Sequence, residues 1–299
     1  MTDDTRTGQQ PVAISFEFFP PKTTEATLQL WRSVERLAPL APSFVSVTYG
    51  AGGTTRKRTR AAIRTIQDRA RLTVAGHLTC VDASRAETLA VADDYRAMGV
   101  NRIVALRGDP PAGAGAFAPH PDGYAHADAL VADLADRDFH VTVAAYPETH
   151  PEAADAAADI DVLRRKFAAG ASSAITQFFF EAETYLRFRD AAAARGVDKP
   201  IIPGILPIEN FTSMARFAKR CGAQVPDWMA TAFGNARTED EATLLATAIA
   251  TELCDTLRSE GADHLHFYTL NKPDLTYAVA RAIGCEPVRF GLATGTGAA

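Results

Sequence analysis

Val12-Ala13-Ile14-Ser15-Phe16-Glu17-Phe18-Phe19-Pro20-Pro21 is an apolar run that stops at two prolines. Strand alternation puts Ser15, Glu17 and Phe19 on one side and Phe16 and Phe18 on the other. An open doubly wound sheet would want a Gly-rich turn directly after such a first strand. None follows. The nearest glycines, in Gly50-Ala51-Gly52-Gly53, come after the second apolar run and do not complete a dinucleotide fingerprint. No G-x-x-x-x-G-K-[ST] phosphate loop exists either.

Working outward, seven more short apolar runs follow: Phe44–Tyr49, Leu72–Cys80, Arg102–Arg107, Val141–Tyr146, Ala174–Phe180, Ile201–Leu206 and His264–Leu270. Segments of helical period separate them: Glu25–Leu37, Arg56–Arg69, Arg85–Met98, Ala127–Asp136, Ala156–Ala169, Glu183–Arg195, Thr212–Cys221 and Glu239–Ser259. Strands separated by helices imply βαβ units and a parallel sheet. Eight such units in 299 residues predict a closed (β/α)8 TIM barrel, an α/β fold, as a single domain over residues 12–290. Residues 1–11 and 291–299 are expected to be disordered tails. No Pro/Ser-rich linker divides the chain. The longest irregular piece, Pro110–Gly123, follows the fourth strand and is expected to serve as a mobile lid.

Composition excludes several classes. Apolar residues make up 47%, ample for a large core, and the net charge of −5 offers no basic footprint for nucleic acid. The nearest basic run, Arg56-Lys57-Arg58 with Arg60, is expected to open a solvated helix. Cys80, Cys221, Cys254 and Cys285 form no CxxC pair, so reduced thiols and a cytoplasmic setting are expected. No apolar run suits a signal peptide or a membrane span.

Barrel enzymes keep their chemistry at the C-terminal ends of the strands. Those ends carry Glu17; Thr48 and Tyr49; His77 and Thr79; Arg107, Gly108 and Asp109; Tyr146, Glu148 and His150; Thr176 and Gln177; and Tyr268 to Lys272. Glu17 would point into the barrel, where poor solvation is expected to raise its pKa and make it a general acid. The alternative is a Glu paired with Arg or Lys. Gly108 would allow a flat ligand to approach the backbone. Asp109 would either bond a ring N–H or cap a turn before the prolines. Gln177 would read a heteroaromatic edge or bond a neighbouring strand. Asp159, Arg165 and Lys166 would grip a diphosphate or form a solvated helix face. His264 and His266 share one strand face at a spacing that can bind zinc. They lie at the strand's start, away from the expected rim and without a carboxylate cluster, so no metal site is expected.

Phe16-Glu17-Phe18-Phe19-Pro20-Pro21, Ser46-Val47-Thr48-Tyr49-Gly50-Ala51, His77-Leu78-Thr79-Cys80 and Ala105-Leu106-Arg107-Gly108-Asp109 resemble the methylenetetrahydrofolate reductase family. So do Ala144-Ala145-Tyr146-Pro147-Glu148 with His150, Ile175-Thr176-Gln177-Phe178-Phe179-Phe180, Pro203-Gly204-Ile205-Leu206-Pro207 and His266-Phe267-Tyr268-Thr269-Leu270-Asn271. The likeness spans roughly residues 12 to 284, in order.

The resemblance implies non-covalent FAD, with NADH or NADPH as electron donor, in ping-pong reduction of 5,10-methylenetetrahydrofolate to 5-methyltetrahydrofolate within one-carbon and methionine metabolism; the step could also run oxidatively. It implies Glu17 as the acid for the folate's bridging amine. Asp109 would contact the pterin and favour its cation. Gln177, Phe217, Tyr268 and Lys272 would contact substrate. FAD would meet Thr48, Tyr49, Ala51, His77, Leu106, Arg107, Gly108, Asp109, Tyr124, Ala125, Ala144, Tyr146, His150, Asp159, Arg165 and Lys166. Val162 stands where the family has an Asn, and Lys272 where it has an Arg, which keeps charge but loses a planar fork. Relatives are often homo-oligomers. The chain ends soon after the barrel, so inhibition by adenosylmethionine is not expected. Two other readings stay open, a proline-dehydrogenase-like flavin barrel and a non-enzymatic folate or flavin binder.

Overall fold

The structure, a computed structural model, describes residues 12–49, 56–108 and 117–288. The two expected tails, and residues 110–116 of the expected lid, lie outside the described residues.

All eight expected strands are present. They are β1 (Ala13–Phe18), β2 (Phe44–Val47), β3 (Val74–Thr79), β4 (Arg102–Leu106), β5 (His140–Ala145), β6 (Ser173–Phe178), β7 (Ile201–Ile205) and β8 (His264–Tyr268). They pair in parallel, in chain order, and β8 returns to β1 to close the ring. The helices are α1 (Thr24–Leu37), α2 (Arg56–Ala70), α3 (Arg85–Ala97), α4 (Ala127–Ala135) and α5 (Ala156–Ala168). They continue with α6 (Ala182–Ala194), α7 (Phe211–Cys221), α8 (Asp227–Asn235), α9 (Glu239–Ser259) and α10 (Pro273–Ala282). The sequence reading did not foresee α8 and α10. The first is nine residues long and buries only Met229, so its period is weak. The second starts on Pro273, a residue suited to a helix's first turn.

Side chains set the helix starts. Thr23, Asp155, Asn210 and Thr238 each accept a backbone N–H from the first turn of the helix that follows. Ser84 and Glu87 cap α3 reciprocally.

The barrel has two apolar layers. Phe16 and Phe18 on β1 and Leu265 and Phe267 on β8 are buried in the large core shared with the helices. A smaller cluster of Phe44, Ala75, Val104, Ile175 and Ile202 forms separately, with Leu106 and Tyr268 packed against it. Strand alternation assigns it to the interior.

Two irregularities shape the mouth. Ile175 pairs with Ile202 but Phe178 pairs with Gly204, so β6 carries one extra residue between these points. This β-bulge spans Thr176 and Gln177, and bulges re-aim side chains. At the β1–β8 seam, Thr269 Oγ1 donates to the Glu17 carbonyl at 2.6 Å. The Asn271 side chain bonds both the N–H and the carbonyl of Phe19, at 2.9 and 3.0 Å. Leu270 and Asn271 hold φ of 49° and 56°, consecutive left-handed residues that turn the chain into α10. Among the described residues no helix is long and apolar enough to cross a membrane.

Candidate active site

Glu17 lies inside the barrel near the C-terminal end of β1, its side chain 12% exposed. Alternation places it there as expected, because Phe16 and Phe18 are wholly buried on the other side. Two imidazoles from other strands face it. His77 Nε2 on β3 is 3.3 Å from Glu17 Oε2, and His266 Nε2 on β8 is 4.0 Å away. Both ring nitrogens are buried and have no hydrogen-bond partner.

These rings overturn the expected rise in pKa. Burial is the largest single influence and does push the carboxyl up. The His266 and His77 rings facing the carboxylate together outweigh it and hold Glu17 down at about 2. Burial also lowers His266, against the pull of Glu17.

Ser15 extends this cluster. Its Oγ is 2.7 Å from His266 Nδ1 and 2.9 Å from His264 Nε2. Both histidines are thus engaged by a serine, in contrast to the zinc geometry weighed from their spacing.

Beside the mouth lies a cavity of about 420 Å³. It gathers Leu106, Arg107 and Gly108 after β4, Ala144, Tyr146 and His150 after β5, and Asp159, Arg165 and Lys166 on α5. Lys166 Nζ donates to the Ala144 carbonyl at 2.9 Å. Burial lowers its pKa to about 8, although Asp159 and Asp128 pull the other way. Arg107 forks onto Glu152 at 2.5 and 3.0 Å. Arg165 faces Asp128 at 3.6 Å. Asp159 accepts the His150 N–H at 2.8 Å. Val162 contributes apolar wall. The sequence reading missed His126, Asp128 and Glu152, which also line this cavity. Arg107 and Arg165 were visible as charges, but nothing local showed which carboxylates they meet.

Gly108 lines this cavity, and its backbone needs glycine in its own right. Its φ is +85°, and an added Cβ would sit 2.6 Å from Val81 Cγ1 and 3.0 Å from Thr79 Cβ. The fold itself fills the space beside it. Tyr124 is fully buried, its hydroxyl donates to Asp133 at 2.6 Å, and Arg85 lies over its ring. The structure does not bring it into the cavity; its neighbour Ala125 is exposed.

The remaining candidates sit around the mouth. Tyr49 is buried and accepts from Arg56 Nε at 2.6 Å, while the Thr48 carbonyl accepts from Thr59. Gln177 stands in the bulge of β6, its Oε1 turned back to the Phe178 N–H. Phe217 stacks on Phe178 with centroids 5.4 Å apart. Tyr268 donates to the Thr176 carbonyl at 2.7 Å and meets the His266 ring edge-on. This placement depends on Gly204, where a Cβ would be 2.6 Å from the Tyr268 ring. Lys272 is exposed. Ala51 and Asp109 lie outside the described residues.

A second cavity, of about 370 Å³, opens between Glu148, Glu181, Arg187 and Asp227. Of the expected rim residues it includes Glu148 alone.

The family model described as methylenetetrahydrofolate reductase matches residues 2–284. A 5,10-methylenetetrahydrofolate reductase of Pectobacterium carotovorum subsp. carotovorum is 47% identical over 281 residues, covering 93% of this chain and 92% of that protein. The Escherichia coli protein of the same name is 46% identical over 280 residues and 93% of each chain. Among solved structures, an uncharacterized Clostridium thermocellum protein that binds two copies of 5-methyl-5,6,7,8-tetrahydrofolic acid superposes with a TM-score of 0.61 at 17% identity. It covers 92% of this chain and 95% of that one, a likeness of fold.

Proposed function

Starting from a chain that belongs to the methylenetetrahydrofolate reductase family, we propose that it reduces 5,10-methylenetetrahydrofolate to 5-methyltetrahydrofolate with non-covalently bound FAD and NADH or NADPH, Glu17 delivering the proton. The observation that carries this reading is Glu17 itself, an inward carboxylate at the barrel mouth with two imidazoles on it.

The cavity beside the mouth suits FAD. Arg107, Arg165 and Lys166 line it together, a cationic set fit for a diphosphate. Lys166, held down by burial, would regain full charge beside an anion. The apolar wall of Val162 and Leu106 suits a flat ring system. FAD, when bound, supplies a two-electron carrier between the nicotinamide and the folate. Both substrates would use one face in turn, with Phe217 free to stack on either.

The chain's own part in the folate step is acid catalysis and orientation. The bridging amine of the folate must take a proton for the methylene bridge to open. Glu17 would hand it over, receiving it from an imidazole, because the carboxyl does not hold a proton at neutral pH. Gln177, set by the bulge, would bond the pterin edge, and Asp109 would favour the cationic intermediate.

The test is anaerobic. The protein is loaded with FAD, reduced with NADH, and mixed with methylenetetrahydrofolate while flavin absorbance is followed. Return of the oxidised flavin spectrum is the expected result. Failure to reoxidise would sink the folate assignment.

A further inference from the structure

We propose that His264, Ser15 and His266 form a proton file that supplies Glu17 from the N-terminal end of the barrel, opposite the mouth where substrates enter. The inference rests on Glu17 acting as the acid.

Geometry carries it. His264 begins β8 at the end of the barrel remote from the mouth, and it is partly exposed next to exposed Asp263. From there the polar atoms are continuous. His264 Nε2 is 2.9 Å from Ser15 Oγ, and Ser15 Oγ is 2.7 Å from His266 Nδ1. The opposite nitrogen of His266 has no partner and faces Glu17 Oε2 at 4.0 Å. A small rotation of the Glu17 side chain would close that gap, as often happens on ligand binding.

The walls are apolar. The Phe44 ring lies 5.9 Å from His266, nearly parallel, and 5.8 Å from His264, edge-on. The Tyr268 ring meets His266 edge-on at 5.3 Å. His266 is fully buried between them, while His264 keeps its contact with solvent. The other charged or titratable groups facing this end are Arg102 and His140, 3.3 Å apart, with Arg102 over Phe44. His264 is held down at about 4 by burial and by His266 and Arg102, so it stays neutral and passes protons without storing charge.

The transfer balances. In the starting state His264 Nε2–H donates to Ser15, Ser15 O–H donates to His266 Nδ1, and His266 Nε2–H points at Glu17. Solvent places one proton on His264 Nδ1. His264 Nε2 then gives its proton to Ser15 Oγ, which gives its own to His266 Nδ1. His266 Nε2 gives its proton to Glu17. One proton enters, one reaches the carboxylate, and both imidazoles end as the other tautomer, which must turn over before the next passage. A folate and a flavin stacked over the mouth would shut out water there. A supply from the far end avoids reopening the site.

His264→Gln keeps a donor to Ser15 but cannot relay a proton, so it separates transport from packing. In the FAD-loaded protein, His264→Gln and Ser15→Ala should slow the folate half-reaction by about tenfold or more, a modest share of what proton transfer by a positioned group is worth. Reduction by NADH should keep its rate. The curved dependence of the folate half-reaction on deuterium fraction, expected when several protons move, should become linear. Nitrogen NMR of the protein without ligands gives a second readout. Ser15→Ala removes the donor to His266 Nδ1 and should shift the resonance of that nitrogen, whereas His264→Gln should leave it nearly unchanged. A wild-type folate rate in His264→Gln, or an unmoved His266 Nδ1 resonance in Ser15→Ala, would overturn the file. If Glu17→Gln leaves the folate step intact, the acid reading itself fails. If Glu17→Gln abolishes that step while His264→Gln runs at full rate, only the file fails.

Discussion

Glu152 grips Arg107 with both carboxylate oxygens, at 2.5 and 3.0 Å, inside the cavity where a diphosphate would lie. The pair is partly solvated, and such pairs contribute about 0.2–1 kcal/mol. It competes with any anionic ligand for the same guanidinium. Glu152→Gln should therefore tighten FAD binding by roughly two- to fivefold. Fluorescence titration of the flavin checks this; weaker binding would mean that Glu152 helps hold the ligand.

Lys166 makes opposite demands on stability and on binding. Its pKa falls from 10.5 to about 8 in the folded protein, so the unfolded chain binds more protons above pH 8. Stability without ligand should then rise as pH goes from about 8 to about 10.5. Lys166→Met removes the burial cost and should flatten that rise. It should also weaken FAD binding by roughly 10- to 100-fold, the worth of a charged hydrogen bond. Denaturant melts across pH and a flavin titration measure the two effects.

Glu17→Gln should cut the folate half-reaction by at least about a hundredfold while flavin reduction by NADH continues. Stopped-flow traces of each half-reaction decide it. Equal loss in both halves would assign Glu17 to flavin binding. The same substitution removes the carboxylate that faces His77 and His266, so the NMR titrations of both rings should change.

Gly204→Ala should destabilise the barrel. The new methyl would run into the Thr176 carbonyl and meet the Tyr268 ring at 2.6 Å, and the carbonyl belongs to the β6 backbone. A cost of about 1–3 kcal/mol is expected from such crowding, visible as a lower thermal midpoint. Because Tyr268 and the bulge at Gln177 would shift together, KM for folate should rise more than KM for NADH.

Much of this was legible in the chain. The eight strands announced themselves because both faces of a parallel barrel are buried, which leaves continuous apolar runs. The inward direction of Glu17 followed from two phenylalanines beside it. Its protonation did not, because His77 and His266 arrive from β3 and β8 and only closure brings them together. The packing around Gly108 and Tyr124 was hidden for the same reason. Their partners, Val81 with Thr79 and Asp133, are set by loop and helix packing that no local pattern encodes. The bulge at Thr176 and Gln177 was hidden too, since an extra residue in one strand appears only against its neighbour. Local chemistry left Lys166 balanced between a solvated helix face and a ligand grip. Its burial against Ala144 is tertiary.

The seam between β1 and β8 has a consequence for biosynthesis. Glu17 is made early and His266 late, so a growing chain carries the carboxylate through most of translation without that imidazole. Domains tend to acquire structure from the N-terminus as they emerge, yet here the pairing of Glu17 with His266 exists only once the ring has shut. A nascent or prematurely ended barrel thus lacks that pairing. New chain ends engineered into an outer helix loop should preserve activity, whereas a cut between Tyr268 and Asn271 should abolish it even if most of the barrel still folds.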